Sequence, residues 1–124
     1  IESGVCVAVR RDNFEKETVS LSELTEAVPA LLDKVQAGLY EKAKKNLDEH
    51  TFPATSLEEA KALQEANGGF IKTMWCGELD CELKMKEEAG MSSRCIPFVQ
   101  EDLGETCPIC GKKAKHMIYW GVAY

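Results

Sequence analysis

The chain has 124 residues, 44% hydrophobic and 29% charged, a composition that fits one globular domain with its own core and excludes disorder and collagen-like repeats. No apolar run approaches the ~20 residues of a membrane-spanning helix. Fifteen Lys and Arg against 21 Asp and Glu give a formal charge of −6, the wrong sign for a domain whose main task is gripping phosphates, so nucleic acid would have to be met by a local basic patch or a neighbouring domain.

The chain opens Ile-Glu-Ser-Gly, without an initiator Met and without a basic-then-apolar leader. It is therefore expected to be a piece of a longer polypeptide that finds its partners within that polypeptide. Residues 5–10 (Val-Cys-Val-Ala-Val-Arg) are β-branched and apolar, and Arg11 to Lys16 supply turn chemistry before Glu17-Thr18-Val19. A strand and a hairpin return are predicted. Ser20 and Glu23 have capping-box spacing. Leu24, Val28, Leu31, Leu32, Val35, Leu39, Ala43 and Leu47 then recur at three- and four-residue steps, which predicts one long amphipathic helix over 21–49. Pro29 should kink that helix or restart it with the proline in its first turn.

Phe52-Pro53 breaks the helix. Ser56 with Glu59 opens a shorter one, and Asn67-Gly68-Gly69 closes it. Phe70 to Trp75 reads as a buried strand, Glu78 to Glu88 as a helix ending at Gly90, and Arg94 to Phe98 as a short strand with Pro97 near its end. Gln100 to Thr106 is polar loop, and Lys115 to Trp120 is the last strand. The order β-α-α-β-α-β-β predicts an α+β fold, a two-layer sandwich with helices on one face of a small mixed sheet.

Six cysteines in a Lys/Glu-rich chain without a leader are expected to stay reduced, so their spacing is informative. Cys76 and Cys81 form C-x4-C, Cys107 and Cys110 form C-x2-C, and 25 residues separate the pairs. Two tight loops, each giving two thiolates, suit a tetrahedral four-thiolate ion. Gly77 and Gly111 follow a ligand in each loop, where a missing Cβ lets the backbone turn and aim N–H groups at sulfur. Cys81 falls in the first turn of a predicted helix, whose positive end favours a thiolate. Zinc is the expected metal. Iron in a rubredoxin-like site could use the same four ligands, and Cys107-Pro-Ile-Cys110 superficially suits a thiol-redox pair, although such a pair should open a helix and this one leads toward a strand. Four Cys ligands leave zinc no open position, so the metal should be structural and no catalytic residue is assigned. Four thiolates around one divalent ion would take the net charge from −6 to about −8.

Cys6 and Cys95 lie in apolar strand patterns and are expected to be small buried hydrophobes. His116 is expected to be packed or exposed rather than a ligand. Arg10-Arg11 and the group Lys112, Lys113 and Lys115 are expected to be solvated rims. Trp75 and Trp120 should cover the metal and the sheet.

Trp75-Cys76-Gly77, Cys81-Glu82, Ser93-Arg94-Cys95-Ile96-Pro97-Phe98, Cys107-x-x-Cys110-Gly111-Lys112-x-Ala114-Lys115 and Tyr119-Trp120-Gly121-Val122-Ala123-Tyr124 closely resemble the C-terminal zinc-binding domain of prolyl-tRNA synthetases of the archaeal/eukaryotic-like type. Gly4 to Val19 is similar to the strand segment that follows the anticodon-binding domain there. The resemblance implies a single C-terminal domain over 1–124, with a strand and hairpin (1–19) continuing from that preceding domain, helices (20–69) and a zinc-binding sheet portion (70–124). It also implies a cytoplasmic, homodimeric class II ligase that activates proline with ATP and charges its tRNA. The catalytic motifs of that class, and its ATP and proline sites, lie outside this sequence. The partners implied are the catalytic and anticodon-binding domains of the same chain and, through the parent enzyme, tRNA. Cys76, Cys81, Cys107 and Cys110 carry over as zinc ligands. Tyr124 carries over as the terminal tyrosine whose carboxylate reaches toward the active site. A free-standing zinc adaptor and a thiol oxidoreductase are the alternatives from other functional classes.

Overall fold

The structure, a computed structural model, describes residues 3–123. The chain divides into two compact units, Ile1–Asn46 and Leu47–Tyr124, and each is built differently.

In the first unit, β1 (Val5–Val9) and β2 (Lys16–Ser20) form an antiparallel hairpin in which Cys6 faces Val19 and Val9 faces Lys16. Period-2 alternation puts Val5, Val7 and Val9 on an exposed face, while Val19 is buried. The turn is closed by the Arg10 N–H donating to the Glu15 carbonyl and the Phe14 N–H donating to the Arg10 carbonyl, both at 2.9 Å. Arg10 is not a solvated rim charge. Its guanidinium grips Asp12 through Nε and Nη2, at 3.1 and 2.7 Å, with both side chains only 12% exposed, and Nη2 also donates to the Lys34 carbonyl. That fork holds the Asp12 carboxyl below its usual range and raises Arg10 further.

A 3-10 turn (Leu21–Glu23) leads into α1 (Leu24–Glu49). The capping box does not form: the Ser20 hydroxyl pairs with that of Ser22 and caps no backbone group. The helix runs through Pro29 as one element, so it does not restart there. None of its residues is buried. The apolar stripe read from the sequence is present, with Val28, Leu32, Leu39 and Leu47 exposed along it.

The second unit carries a four-stranded mixed sheet in the order β3-β4-β6-β5. A strand the sequence pattern does not predict, β3 (Thr51–Pro53), runs parallel to β4 (Phe70–Trp75), and α2 (Leu57–Asn67) makes the crossover between them. Three residues are too few to show alternation, and Pro53 is tolerated because the strand is an edge. The centre is β6 (His116–Val122), antiparallel to β4 and to β5. The strand β5 spans Met91–Cys95 rather than 94–98, with a register irregularity between Ser93 and Cys95. Its two serines hide it from an apolar pattern, and Ile96-Pro97-Phe98 lies beyond its end.

Helix α2 starts on a capping network. Ser56 Oγ accepts the Glu59 N–H, and the Glu59 carboxylate accepts from the Thr55 N–H and hydroxyl. Those donors hold the Glu59 carboxyl below its usual range. Helix α3 (Leu79–Ala89) ends where the Gly90 N–H donates to the Lys86 carbonyl. Leu57 and Ala60 from α2, Cys81, Met85 and Ala89 from α3, and Ile71, Met91, Ile118 and Trp120 from the sheet share one buried cluster. The α+β architecture with helices on one sheet face is thereby realised. Among the described residues no helix is long and apolar enough to cross a membrane.

Candidate metal centre

Two loops converge at one end of the sheet. Strand β4 runs out at Trp75, so Cys76 is the first residue past its end, and Cys81 stands in the first turn of α3. The second loop is a tight turn in which the Cys107 N–H donates to the Lys112 carbonyl and the Gly111 N–H to the Cys107 carbonyl, both at 2.8 Å. The Lys115 N–H, donating to the Trp75 carbonyl at 2.8 Å, ties this loop to the first. Gly77 (φ +86) and Gly111 (φ +73) both occupy the left-handed region, where a side chain would be strained.

The four sulfurs of Cys76, Cys81, Cys107 and Cys110 all lie within 4.8 Å of one another. Cys76 and Cys81 are 3.6 Å apart, and Cys76 and Cys110 are 3.7 Å apart. A tetrahedron with metal–sulfur bonds of about 2.3 Å has edges of about 3.75 Å, so the donor set fits a four-thiolate ion. Backbone N–H groups reach two of the sulfurs, from Glu78 to Cys76 and from Lys112 to Cys110. Burial pushes the Cys76 and Cys81 thiols up, whereas the Lys112 N–H draws the exposed Cys110 down to about 7. A divalent cation among the four sulfurs would favour the thiolate form of each.

Three of the four cysteines are buried and Cys110 is exposed. Cys6 is half-buried, and Cys95 is exposed rather than buried as expected. Cys95 is the last residue of β5, past the register irregularity, so apolar neighbours in sequence do not enclose it. His116 is exposed at the start of β6 and is not among the four clustered groups. Lys112, Lys113 and Lys115 are exposed. Trp120 is fully buried, donates its indole N–H to Thr73 Oγ1 at 2.9 Å and meets Trp75 edge-to-face. Trp75 is only partly buried, with its own indole N–H enclosed and unpartnered. Tyr124 lies outside the described residues.

A groove of about 550 Å³ that no sequence motif announces lies between Phe70, Lys72, Arg94, Glu101 and Tyr119, with Leu47 and Asp48 from the end of α1 also lining it. Lys72 is paired with Glu101 across 29 positions. Such a surface comes from alternate positions on separate strands, and only the pairing order of those strands would have predicted it.

Comparison with known proteins adds an independent line. A family profile described as "Prolyl-tRNA synthetase, C-terminal" matches residues 57–124, more than half of the chain. "Proline--tRNA ligase 2" of Bacillus thuringiensis (strain Al Hakam) is 55% identical over 124 residues, all of this chain and 26% of that protein. "Proline--tRNA ligase" of Clostridium novyi (strain NT) is 51% identical over the same span. A crystal structure of prolyl-tRNA synthetase from Cryptosporidium parvum, complexed with L-proline and AMP, superposes with a TM-score of 0.90 at 30% identity, covering 99% of this chain and 26% of that one. The chain therefore spans about a quarter of the length of the relatives it matches.

Proposed function

The chain belongs to the prolyl-tRNA synthetase family as its C-terminal domain, and from that premise we propose that it is the non-catalytic, zinc-clamped support of a proline–tRNA ligase. The observation that carries this reading is the convergence of four sulfurs within 4.8 Å from two loops separated in sequence. Cys76, Cys81, Cys107 and Cys110 hold one Zn²⁺, which supplies cross-linking and no Lewis-acid step, because four thiolates fill the tetrahedron. The two loops otherwise meet through single backbone bonds such as Lys115 to Trp75. The ion makes them one rigid corner between β4, α3 and the approach to β6.

In this reading the parent enzyme activates proline with ATP and charges its tRNA on domains outside this chain, and works as a homodimer in the cytoplasm. Residues 1–124 pack between those domains and contribute the Tyr124 carboxylate toward the active site. The thiol-oxidoreductase alternative is disfavoured by local structure. The Cys107–Cys110 turn returns through a Thr106–Lys113 bridge toward β6 instead of opening the helix that a redox pair uses to stabilise its thiolate. Metal analysis of the purified chain is expected to give one zinc per chain, and a chain free of metal overturns the clamp. Deleting Tyr124 from the full-length enzyme is expected to lower aminoacylation with folding unchanged, and unchanged turnover removes that role.

A further inference from the structure

The four cysteines are not equivalent. Cys76, Cys81 and Cys107 are 2%, 5% and 1% exposed, whereas Cys110 is open to solvent. The two loops differ in the same sense. The Lys115 side chain lies 3.7 Å from where a Gly77 Cβ would stand, whereas nothing lies within 4 Å of the equivalent point on Gly111. A reagent in water thus meets one sulfur first, that of Cys110.

We propose that Cys110 is a modification site, the sulfur at which a peroxide-class oxidant opens the centre, with Cys76 as the resolving thiol. This rests on the four-thiolate metal reading above. The Cys110 thiolate attacks one peroxide oxygen: an S–O bond forms, the O–O bond breaks, and hydroxide leaves to be protonated to water. Cys76, whose sulfur is 3.7 Å away, attacks the Cys110 sulfur. An S–S bond forms, the S–O bond breaks, and a second hydroxide leaves and becomes water. The sulfur pair has lost two electrons and the peroxide has gained them. Cys81 and Cys107 alone remain as ligands, too few for a structural zinc site, so the ion is released. The disulfide joins the same two loops that the metal joined.

The test treats the metal-loaded chain, with Cys6 and Cys95 replaced by serine to remove the other thiols, with hydrogen peroxide. Zinc release is followed with a chromogenic chelator, and the oxidised cysteines are mapped by mass spectrometry at low conversion. The expected result is that Cys110 is oxidised first, about tenfold ahead of any other ligand, that zinc appears in step with it, and that the product is a Cys76–Cys110 disulfide. First oxidation at Cys76, Cys81 or Cys107, or release at a rate independent of peroxide, overturns the proposal while leaving the clamp intact. A Cys107–Cys110 product overturns the role given to Cys76. A chain purified without metal overturns the clamp itself, and this proposal with it. Mapping on this protein decides the matter even if Cys110→Ser does not retain zinc.

Discussion

The segments Ile1–Asn46 and Leu47–Tyr124 use opposite means to hold their shape. The first is the more regular by sequence pattern, yet α1 fully buries none of its residues, leaving Leu24, Leu31 and Val35 only partly covered, and β1 turns three valines outward. The second is assembled from strands of three to seven residues and two 11-residue helices, yet it contains the fully buried Ile71, Met85, Met91, Met117 and Trp120. Periodicity reports a capacity to bury a face. Burial itself requires a second face, and within the second unit α2, α3 and the sheet supply it to one another.

The contrast is sharpest when the centre is disturbed. Chelating the metal or introducing Cys107→Ser is expected to unfold the end of the sheet that carries both loops, since structural zinc contributes apparent binding free energies of about 10–16 kcal/mol in small zinc domains. The helical signal of α1 should survive. Circular dichroism with hydrogen exchange resolved along the chain checks this, and loss of protection in β1 and β2 alone would reverse the comparison. Lowering pH has the same direction, because protons compete with the ion for thiolates, so metal retention should fall as pH falls.

Next in size is Trp120→Ala, expected to cost about 3–5 kcal/mol in chemical denaturation, because the fully buried ring leaves a cavity under α2 and α3. Thr73→Val keeps the shape but strands the Trp120 indole N–H, for about 1–3 kcal/mol. Ser56→Ala removes the cap of α2, for about 1 kcal/mol. The Glu59 carboxyl, held low, stabilises α2 above its ordinary pKa of about 4.3, and that contribution is lost as pH falls through its lowered folded value. Glu59→Gln should flatten the acid limb of the unfolding profile. Smallest of all, Leu32→Ala on α1, where the side chain is 61% exposed, should change stability by less than about 0.5 kcal/mol. A larger effect would show that α1 buries this face.

What the sequence made legible follows the same division. The helices α1, α2 and α3 were readable from periodicity, from the Ser56–Glu59 cap and from Gly90, because those signals are local. The four-cysteine cluster was readable because two closely spaced pairs are a local signal, and the structure brings all four sulfurs within 4.8 Å of one another. The strand β3 and the true span of β5 were not, since their identity lies in pairing with β4 and β6 rather than in their own residues. Cys95 departs from the expected burial for the same reason: Ile96 and Phe98 beside it are themselves exposed. Arg10 departs from the expected rim charge because the turn that folds Asp12 onto it is not visible as a charge pattern.

The most direct measurement is X-ray absorption at the zinc K-edge on the purified chain. Four sulfur neighbours at about 2.3 Å around one zinc is the result the clamp predicts. Fewer than four sulfurs, nitrogen or oxygen in the shell, or no zinc to absorb would contradict it.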